Sequence, residues 1–519
     1  MRAWHIVLTA LLLTALLRGA IDGPRVLTAA EVDTLEAGVD LALALTDDAP
    51  SSWSERLRTG FEARSENPRV AALSKHDIDR RQIVQPPLPQ WVAAVAIMLS
   101  PSESVSNPDR TRTLAALLVA LAIAWLVWIR RGVGLVQAAL GGALVLLLPG
   151  VVDAGLGSGY AASGLLVGTA MVAATQRMLD GGAAWPVGLA WGLCLGVHPG
   201  AILLIIPAFV AYALARPTRS ASTSAPNGEL TLPTIPLGLL LSPVLGLVLL
   251  VGLWPSLWSR TATRLVGWFA DAGGTQLPIH TVAGQVYDQS GGEAPPAWAA
   301  LLEWADAVSW PLAAAAIIGV ICLAQTGRRA RWFPALMLVS LFLSGAMDGG
   351  LYGARLELLP LMWAPTALLG ATGIVAGARW TGDRLAVPER RRSVILIASI
   401  LVVVAWPAVL ALAPGTQRER TGASLRRPVS VTMLERLSHQ GPVWVHVVPV
   451  SSEWGPACIA ARDHLNLPIR WSETPRSAGR VLVAHRAEIV ALTPEMPASS
   501  GYADGVWFSD RPTVGTKRR

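Results

Sequence analysis

Charge is scarce in this chain. Asp, Glu, Lys and Arg make up 15% of its 519 residues, lysine occurs only at Lys75 and Lys517, and the charges fall in gaps between apolar runs. A soluble fold needs a charged surface, so this distribution excludes one. The 52% of apolar and aromatic residues is instead the composition of an integral membrane protein. The net charge of +7 is spread over single arginines and short clusters beside apolar runs, with no basic stripe, which excludes nucleic acid as a partner. Cysteine is rarer still. Cys194, Cys322 and Cys458 lie far apart, form no metal-ligand spacing and are expected to be free thiols, since two sit in apolar runs and the third in the tail. A lysine-poor, alanine- and arginine-rich chain points to a high-GC bacterium and its plasma membrane.

What is there is a series of long apolar runs. The first, Ile6 to Leu17, reads as an uncleaved membrane helix within residues 1–20 rather than a secretory signal, because Arg18 stands where small residues should precede cleavage. A polar segment, 21–90, follows. Ten more runs are long enough to approach the ~20 residues a bilayer needs: Leu114 to Ile129, Val133 to Val151, Ser158 to Ala174, Ala183 to Val197, Gly200 to Ala215, Pro233 to Trp254, Trp310 to Ala324, Phe333 to Met347, Leu356 to Ala378 and Ser393 to Ala413. Leu88 to Leu99 is shorter and reads as re-entrant or interfacial. On that count Arg130, Arg131, Arg177, Arg216, Arg219, Arg328, Arg329, Arg331 and the cluster from Arg379 to Arg392 share one side, the cytoplasmic one by the positive-inside rule. The expectation is eleven crossings with the amino terminus inside, arranged as 91–254 and 310–414. Three bodies lie outside: 21–90, 255–309 and 415–519. Pro186, Pro207, Pro243, Pro365 and Pro407 are expected to kink their helices.

The tail, 415–519, reads as a small soluble α/β domain. Thr432 and Glu435 fit a capping box, and Val443 to Val450 and Arg480 to Ala484 read as strands. It serves packing or recognition rather than catalysis. The cluster Lys75-His76-Asp77-Ile78-Asp79 has metal-ligand chemistry but no second histidine nearby, so a hydrated turn is the simpler reading. No metal or other cofactor is expected. His198, between two apolar runs, reads as a structural residue of a short turn, and the tryptophans near run ends read as interfacial anchors.

Three stretches carry a resemblance: Gln85-Pro86-Pro87-Leu88; Trp254-Pro255-Ser256-Leu257-Trp258 with Gly284-Gln285-Val286-Tyr287 and Pro295-Pro296-Ala297-Trp298 after it; and Tyr352-Gly353-Ala354-Arg355-Leu356-Glu357-Leu358-Leu359-Pro360. In this order, over 1–414, the chain resembles the family 39 glycosyltransferases of the GT-C fold, which are similar to protein mannosyltransferases and to the aminoarabinose transferases of lipid A. The resemblance implies an α-helical polytopic bundle of about eleven transmembrane helices. It also implies transfer of a sugar from a polyprenyl-phosphate donor to an extracytoplasmic acceptor, which can be a lipid, a polysaccharide or a protein.

Such transfer needs a carboxylate to take the acceptor's proton and a cation to hold the departing phosphate. The family places the carboxylate early in the first loop, usually in an Asp-Glu pair. Here the stretch is Thr28-Ala29-Ala30-Glu31-Val32-Asp33-Thr34-Leu35-Glu36, with no such pair. Asp33 is the first choice as base and Glu31 the second; the alternative is a set of solvated acids on an amphipathic helix. Arg355, alone on an arginine-poor side, is the choice for the phosphate, since a guanidinium matches a fork of phosphate oxygens; its alternative is a snorkelling side chain or an ion pair with Asp348 or Glu357. Gln85 stands where the family often has histidine, and Ala161 where it has a second acid. Asp153 is the nearest replacement for that acid. Gln85, Asp153 and His280 are candidate substrate contacts, with Arg260 and Arg264 in the same loop as His280. These departures keep a second class open, a noncatalytic scaffold or a transporter on the same fold, although neither internal repeats nor mid-membrane ionisable groups stand out.

Overall fold

The computed structural model describes residues 6, 9–14, 29–46, 52–62, 86–99, 108–129, 135–146, 148, 151, 160–215, 235–258, 261–272, 279–282, 285–288, 296, 298–325, 332–347, 358–388, 391–412, 443–446, 469–472, 482–485, 500–503 and 506–509. The protein is mostly helical. In chain order the helices are α1 (Ala29–Thr46), α2 (Trp53–Glu62), α3 (Pro87–Met98), α4 (Pro108–Ile129), α5 (Leu135–Leu146), α6 (Tyr160–Leu179), α7 (Trp185–Leu195), α8 (Ile205–Ala215), α9 (Leu237–Leu240), α10 (Ser242–Leu253), α11 (Thr261–Ala272), α12 (Ala299–Val308), α13 (Trp310–Gln325), α14 (Phe333–Met347), α15 (Leu359–Arg384) and α16 (Arg392–Leu412). Pro199–Leu204 and Pro255–Leu257 are short 3-10 segments.

The helix α15 is the axis of the bundle. Every residue from Leu359 to Ala371 is buried, and α5, α6, α13, α14 and α16 pack around it. Packing between apolar helices in a bilayer cannot draw on the hydrophobic effect, so it depends on close approach across small residues. Two crossings are built that way. On α13 and α15, Gly319 lies against the Leu369 carbonyl and Gly373 against the Ala315 carbonyl, so that no Cβ fits at either glycine. On α7 and α10, a Cβ on Gly188 would stand 2.5 Å from the Ser242 carbonyl oxygen, and one on Gly192 equally close to that of Gly246.

Proline punctuates the apolar runs. Pro186 and Pro243 were expected to bend helices. Instead each stands in the first turn of its helix, α7 and α10, where a missing N–H removes no intrahelical bond. Pro243 thereby divides the run Pro233 to Trp254 at Leu241 into α9 and α10. The runs Ala183 to Val197 and Gly200 to Ala215 become α7, the 3-10 segment and α8, because Gly196, Pro199 and Pro207 interrupt them. Pro365 does lie inside α15. Among the described residues α15, with 26 residues, is long and apolar enough to cross a membrane alone. The pair α12 and α13 passes the same test together, bent by 112°. Shorter apolar helices, α3, α7 and α10 among them, make up most of the rest.

The bend falls at Ser309, whose φ of 78° and ψ of 138° are rare for a side chain with a Cβ. Its hydroxyl is buried without a hydrogen-bond partner. A conformation of this kind costs on the order of 1–3 kcal/mol, more than the roughly 0.5–1 kcal/mol that glycine's extra freedom costs. Ser309→Gly is therefore expected to raise the thermal unfolding temperature in detergent; an unchanged or lowered temperature would show that the turn is not strained.

The tail contains strands where two were expected. Val443–His446 and Ile469–Ser472 pair in parallel, and Leu482–His485 and Ser500–Ala503 flank Val506–Ser509 in an antiparallel sheet. The helix expected at Thr432 to Leu437 lies outside the described residues. Cys194 and Cys322 are free thiols, as expected, and the buried Cys194 Sγ donates to the Val167 carbonyl at 3.5 Å. Cys458 lies outside the described residues.

Candidate functional site

Described parts of the stretches that carry the resemblance, Pro86 to Leu88, Trp254 to Trp258 and Leu358 to Pro360, lie close to the ends of α6, α7 and α10. Pro86 is extended (φ −64°, ψ 145°) and Pro87 opens α3, a geometry the two proline rings favour. The first free donor of that helix, the Leu88 N–H, donates to the Gly196 carbonyl at 3.0 Å, which satisfies one of the amides a helix start leaves open. One turn on, Trp91 Nε1 donates to the Leu253 carbonyl at 2.7 Å. These two bonds fasten α3 to the ends of α7 and α10. Just past Leu253, Trp254 is buried edge-on against Trp268 of α11 at 5.1 Å between ring centroids. Trp258 Nε1 donates back to the Val251 carbonyl at 2.8 Å, and the Arg264 guanidinium donates to the Ser256 carbonyl.

The third stretch closes the same corner. A Cβ on Gly164 of α6 would stand 2.6 Å from the Pro360 Cβ and 3.6 Å from Val197, so α6 touches both the start of α15 and the turn after α7. In that turn His198 is buried, and its Nδ1 accepts the Gly200 N–H at 2.9 Å as the cap of the 3-10 segment. Accepting at Nδ1 puts the proton of the neutral ring on Nε2. This is a structural bond, in keeping with the turn role expected of His198. Gly200 in turn abuts the Ser344 hydroxyl of α14.

A few basic and acidic side chains are buried within the bundle. Among the described residues they are Arg112, near the start of α4, His198, and Glu303 of α12. Beside Glu303, Trp304 is held by a 2.9 Å bond from Nε1 to the Thr366 hydroxyl and an edge contact with Phe342. Gln90 and Thr34 are also buried. Sequence reasoning did not single out Arg112 or Glu303. In Pro108-Asp109-Arg110-Thr111-Arg112 the arginine looks like an ordinary helix-end charge. Glu303 was detectable as a lone acid between Leu301-Leu302 and Trp304 in an otherwise apolar segment.

Asp33 and Glu31 lie in the first two turns of α1, with their side chains outside the described residues. The helix itself is well placed: Thr34, Ala37, Gly38, Leu41 and Ala42 are buried, and Gly38 lets α1 close on Ala93 of α3. His280 lies on the strand Ile279–Val282, opposite Tyr287 of Gln285–Asp288, its side chain likewise outside the described residues. Gln85, Asp153, Arg355, Arg260 and the Lys75 to Asp79 cluster lie outside them altogether. Gln85 immediately precedes the buried Pro86 in the chain, and Arg355 comes shortly before the buried Leu358. Among the described residues no group of His, Cys, Asp and Glu has the makings of a metal site.

No protein-family model matches the chain, and no curated protein matches it. Two solved structures are similar to it over nearly their whole length. One is ArnT from Cupriavidus metallidurans bound to undecaprenyl phosphate, with 14% identity, a TM-score of 0.48 and 97% of each chain covered. The other is the same protein in the apo state, with 13% identity, a TM-score of 0.49 and coverage of 97% of this chain and 96% of that one. At such scores neither the activity nor the lipid of those proteins passes to this chain on the comparison alone, and its function has to be argued from its own residues.

Proposed function

We propose that this chain is a multi-pass membrane glycosyltransferase that moves a sugar from a polyprenyl-phosphate donor to an acceptor on the extracytoplasmic side. One observation carries the reading: stretches hundreds of residues apart, Pro86-Pro87-Leu88, Trp254 to Trp258 and Pro360, are linked through the ends of α6, α7 and α10 in an apolar helical bundle that also buries Arg112, His198 and Glu303. A packing scaffold has no need to bury ionisable groups in an apolar bundle, since burying them is costly.

In the proposed reaction an acceptor hydroxyl attacks the anomeric carbon of the donor. The new C–O bond forms as the bond from that carbon to the phosphate oxygen breaks. Asp33, with Glu31 as the second candidate, takes the hydroxyl proton. The polyprenyl phosphate leaves with its charge held by Arg355, and Gln85, Asp153 and His280 contact donor or acceptor. The arginine-rich ends face the cytoplasm and the tail lies outside, against the acceptor or a partner.

The test is turnover by the intact protein in proteoliposomes with a panel of polyprenyl-phosphate sugars and membrane or polymer acceptors. Sugar transfer with stoichiometric release of polyprenyl phosphate is expected for at least one pair. No transfer with any pair, together with no donor binding, would replace the reading with a noncatalytic scaffold.

A further inference from the structure

At the opposite, arginine-rich end lies a cavity of about 590 Å³ between α4, α6 and α7. Its size falls within the roughly 300–1,000 Å³ usual for small-ligand sites. The wall is mostly apolar, with Trp125 of α4, Ala173 and Ala174 of α6, and Leu189 and Leu193 of α7, and Gln176 of α6 adds one amide to it. Trp125, Ala174, Leu189 and Leu193 are only half-buried, so the cavity opens sideways, toward what a bilayer would fill with lipid.

The rim is different. Arg177, in the last turn of α6, and Asp180, just past its end, both line the cavity and are both exposed. Opposite charges three residues apart at a helix end commonly pair, yet no ion pair joins these two among the described residues. In the turn after α6 the Gly182 N–H donates to the Arg177 carbonyl at 2.8 Å, and Gly182 lies so close to the arginine stem that a Cβ there would strike Arg177 Cγ. The site therefore offers an apolar groove capped by one separate cation and one separate anion.

We infer that this cavity binds a phospholipid with a phosphoethanolamine headgroup, one acyl chain along the apolar wall, the phosphate on Arg177 and the ammonium on Asp180. A guanidinium forks onto phosphate oxygens, and a primary ammonium has three N–H donors for a carboxylate. A choline headgroup has no N–H to give and suits an aromatic cage, while a phosphatidylglycerol headgroup has no cation to set against Asp180. The inference needs the helices to lie in a bilayer and is independent of any catalysis at the other end.

The experiment is lipid retention by the full-length protein, delipidated in detergent and exposed to equimolar phosphatidylethanolamine, phosphatidylglycerol and phosphatidylcholine, read by native mass spectrometry. One tightly held phosphatidylethanolamine is expected. Arg177→Gln and Asp180→Asn should each weaken its retention about fivefold, as the loss of one charge contact near a membrane surface implies. Asp180→Asn should also shift the preference toward phosphatidylglycerol, a change of sign that general destabilisation does not produce. Ala174→Trp, which fills the groove, should abolish retention, and circular dichroism will show whether the variant is folded. Equal retention of the three lipids, a phosphatidylglycerol preference in the intact protein, or retention that neither charge variant alters would overturn the inference.

Discussion

Asp33→Asn is expected to lower transfer from a lipid-linked sugar by about 10²–10⁴-fold, the usual contribution of a positioned general base, with the amount of folded protein unchanged. Asn keeps the shape of the side chain and removes its ability to accept a proton. Gly38 seats α1 on Ala93 of α3, and Thr34, Ala37 and Leu41 are the buried positions around it, so the substitution is made outside these buried positions. Glu31→Gln should cost far less if Asp33 is the base. Arg355→Ala should reduce turnover through lost stabilisation of the leaving phosphate, and Arg355→Lys should restore part of it, because lysine returns the charge without the two-pronged geometry. Initial rates in proteoliposomes, normalised to folded protein, read all four. Loss in Glu31→Gln with activity kept in Asp33→Asn would move the base to Glu31. Full activity in both acidic variants would remove the first loop from the chemistry.

The sequence foretold much of this architecture where a local rule applied and little where the answer depended on which helix touches which. Pro86-Pro87 marked the start of α3, and the tail strands Val443–His446 and Leu482–His485 fell on β-branched runs. The runs at Gly196 to Leu204 and at Leu241 were harder. The break at His198-Pro199 was visible but the 3-10 segment after it was not, and at Leu241 the apolar residues on all sides left no periodicity to show that Ser242-Pro243 starts a new helix. The bonds from Leu88 to Gly196 and from Trp91 to Leu253 leave no local trace either, since one joins two backbone groups and the other ends on a backbone carbonyl. The candidate site was legible as stretches and not as side chains: the motifs converge, while the acids and the arginine proposed for the chemistry rest on the resemblance. Glu303 shows the limit in the other direction. It is buried in the described structure, and its apolar neighbours Leu301, Leu302 and Trp304 were the signal in the sequence that went unused.

Gly373→Leu is expected to yield no monodisperse folded protein, while Gly377→Leu, one turn along the same helix, should purify and unfold like the parent. A Cβ at Gly373 would overlap the backbone carbonyl of Ala315, whereas one at Gly377 meets nothing within 4 Å. Overpacking of a core by side chains typically costs 1–3 kcal/mol because neighbours can change rotamer. A backbone carbonyl cannot, so α13 and α15 would have to separate. That separation would also open the reciprocal seat of Gly319 on Leu369 and disturb α15, against which much of the bundle packs. With roughly 5–15 kcal/mol of stability in a typical protein, losing this crossing removes most of the margin. Gly373→Ala, with the smallest Cβ substituent, should lie between parent and leucine variant. Size-exclusion profiles and thermal unfolding in one detergent compare the set. Equal behaviour of the two leucine variants would mean that the α13–α15 crossing is wider than the structure has it, and with it the placement of Leu359 and Pro360 at the end where the motifs meet.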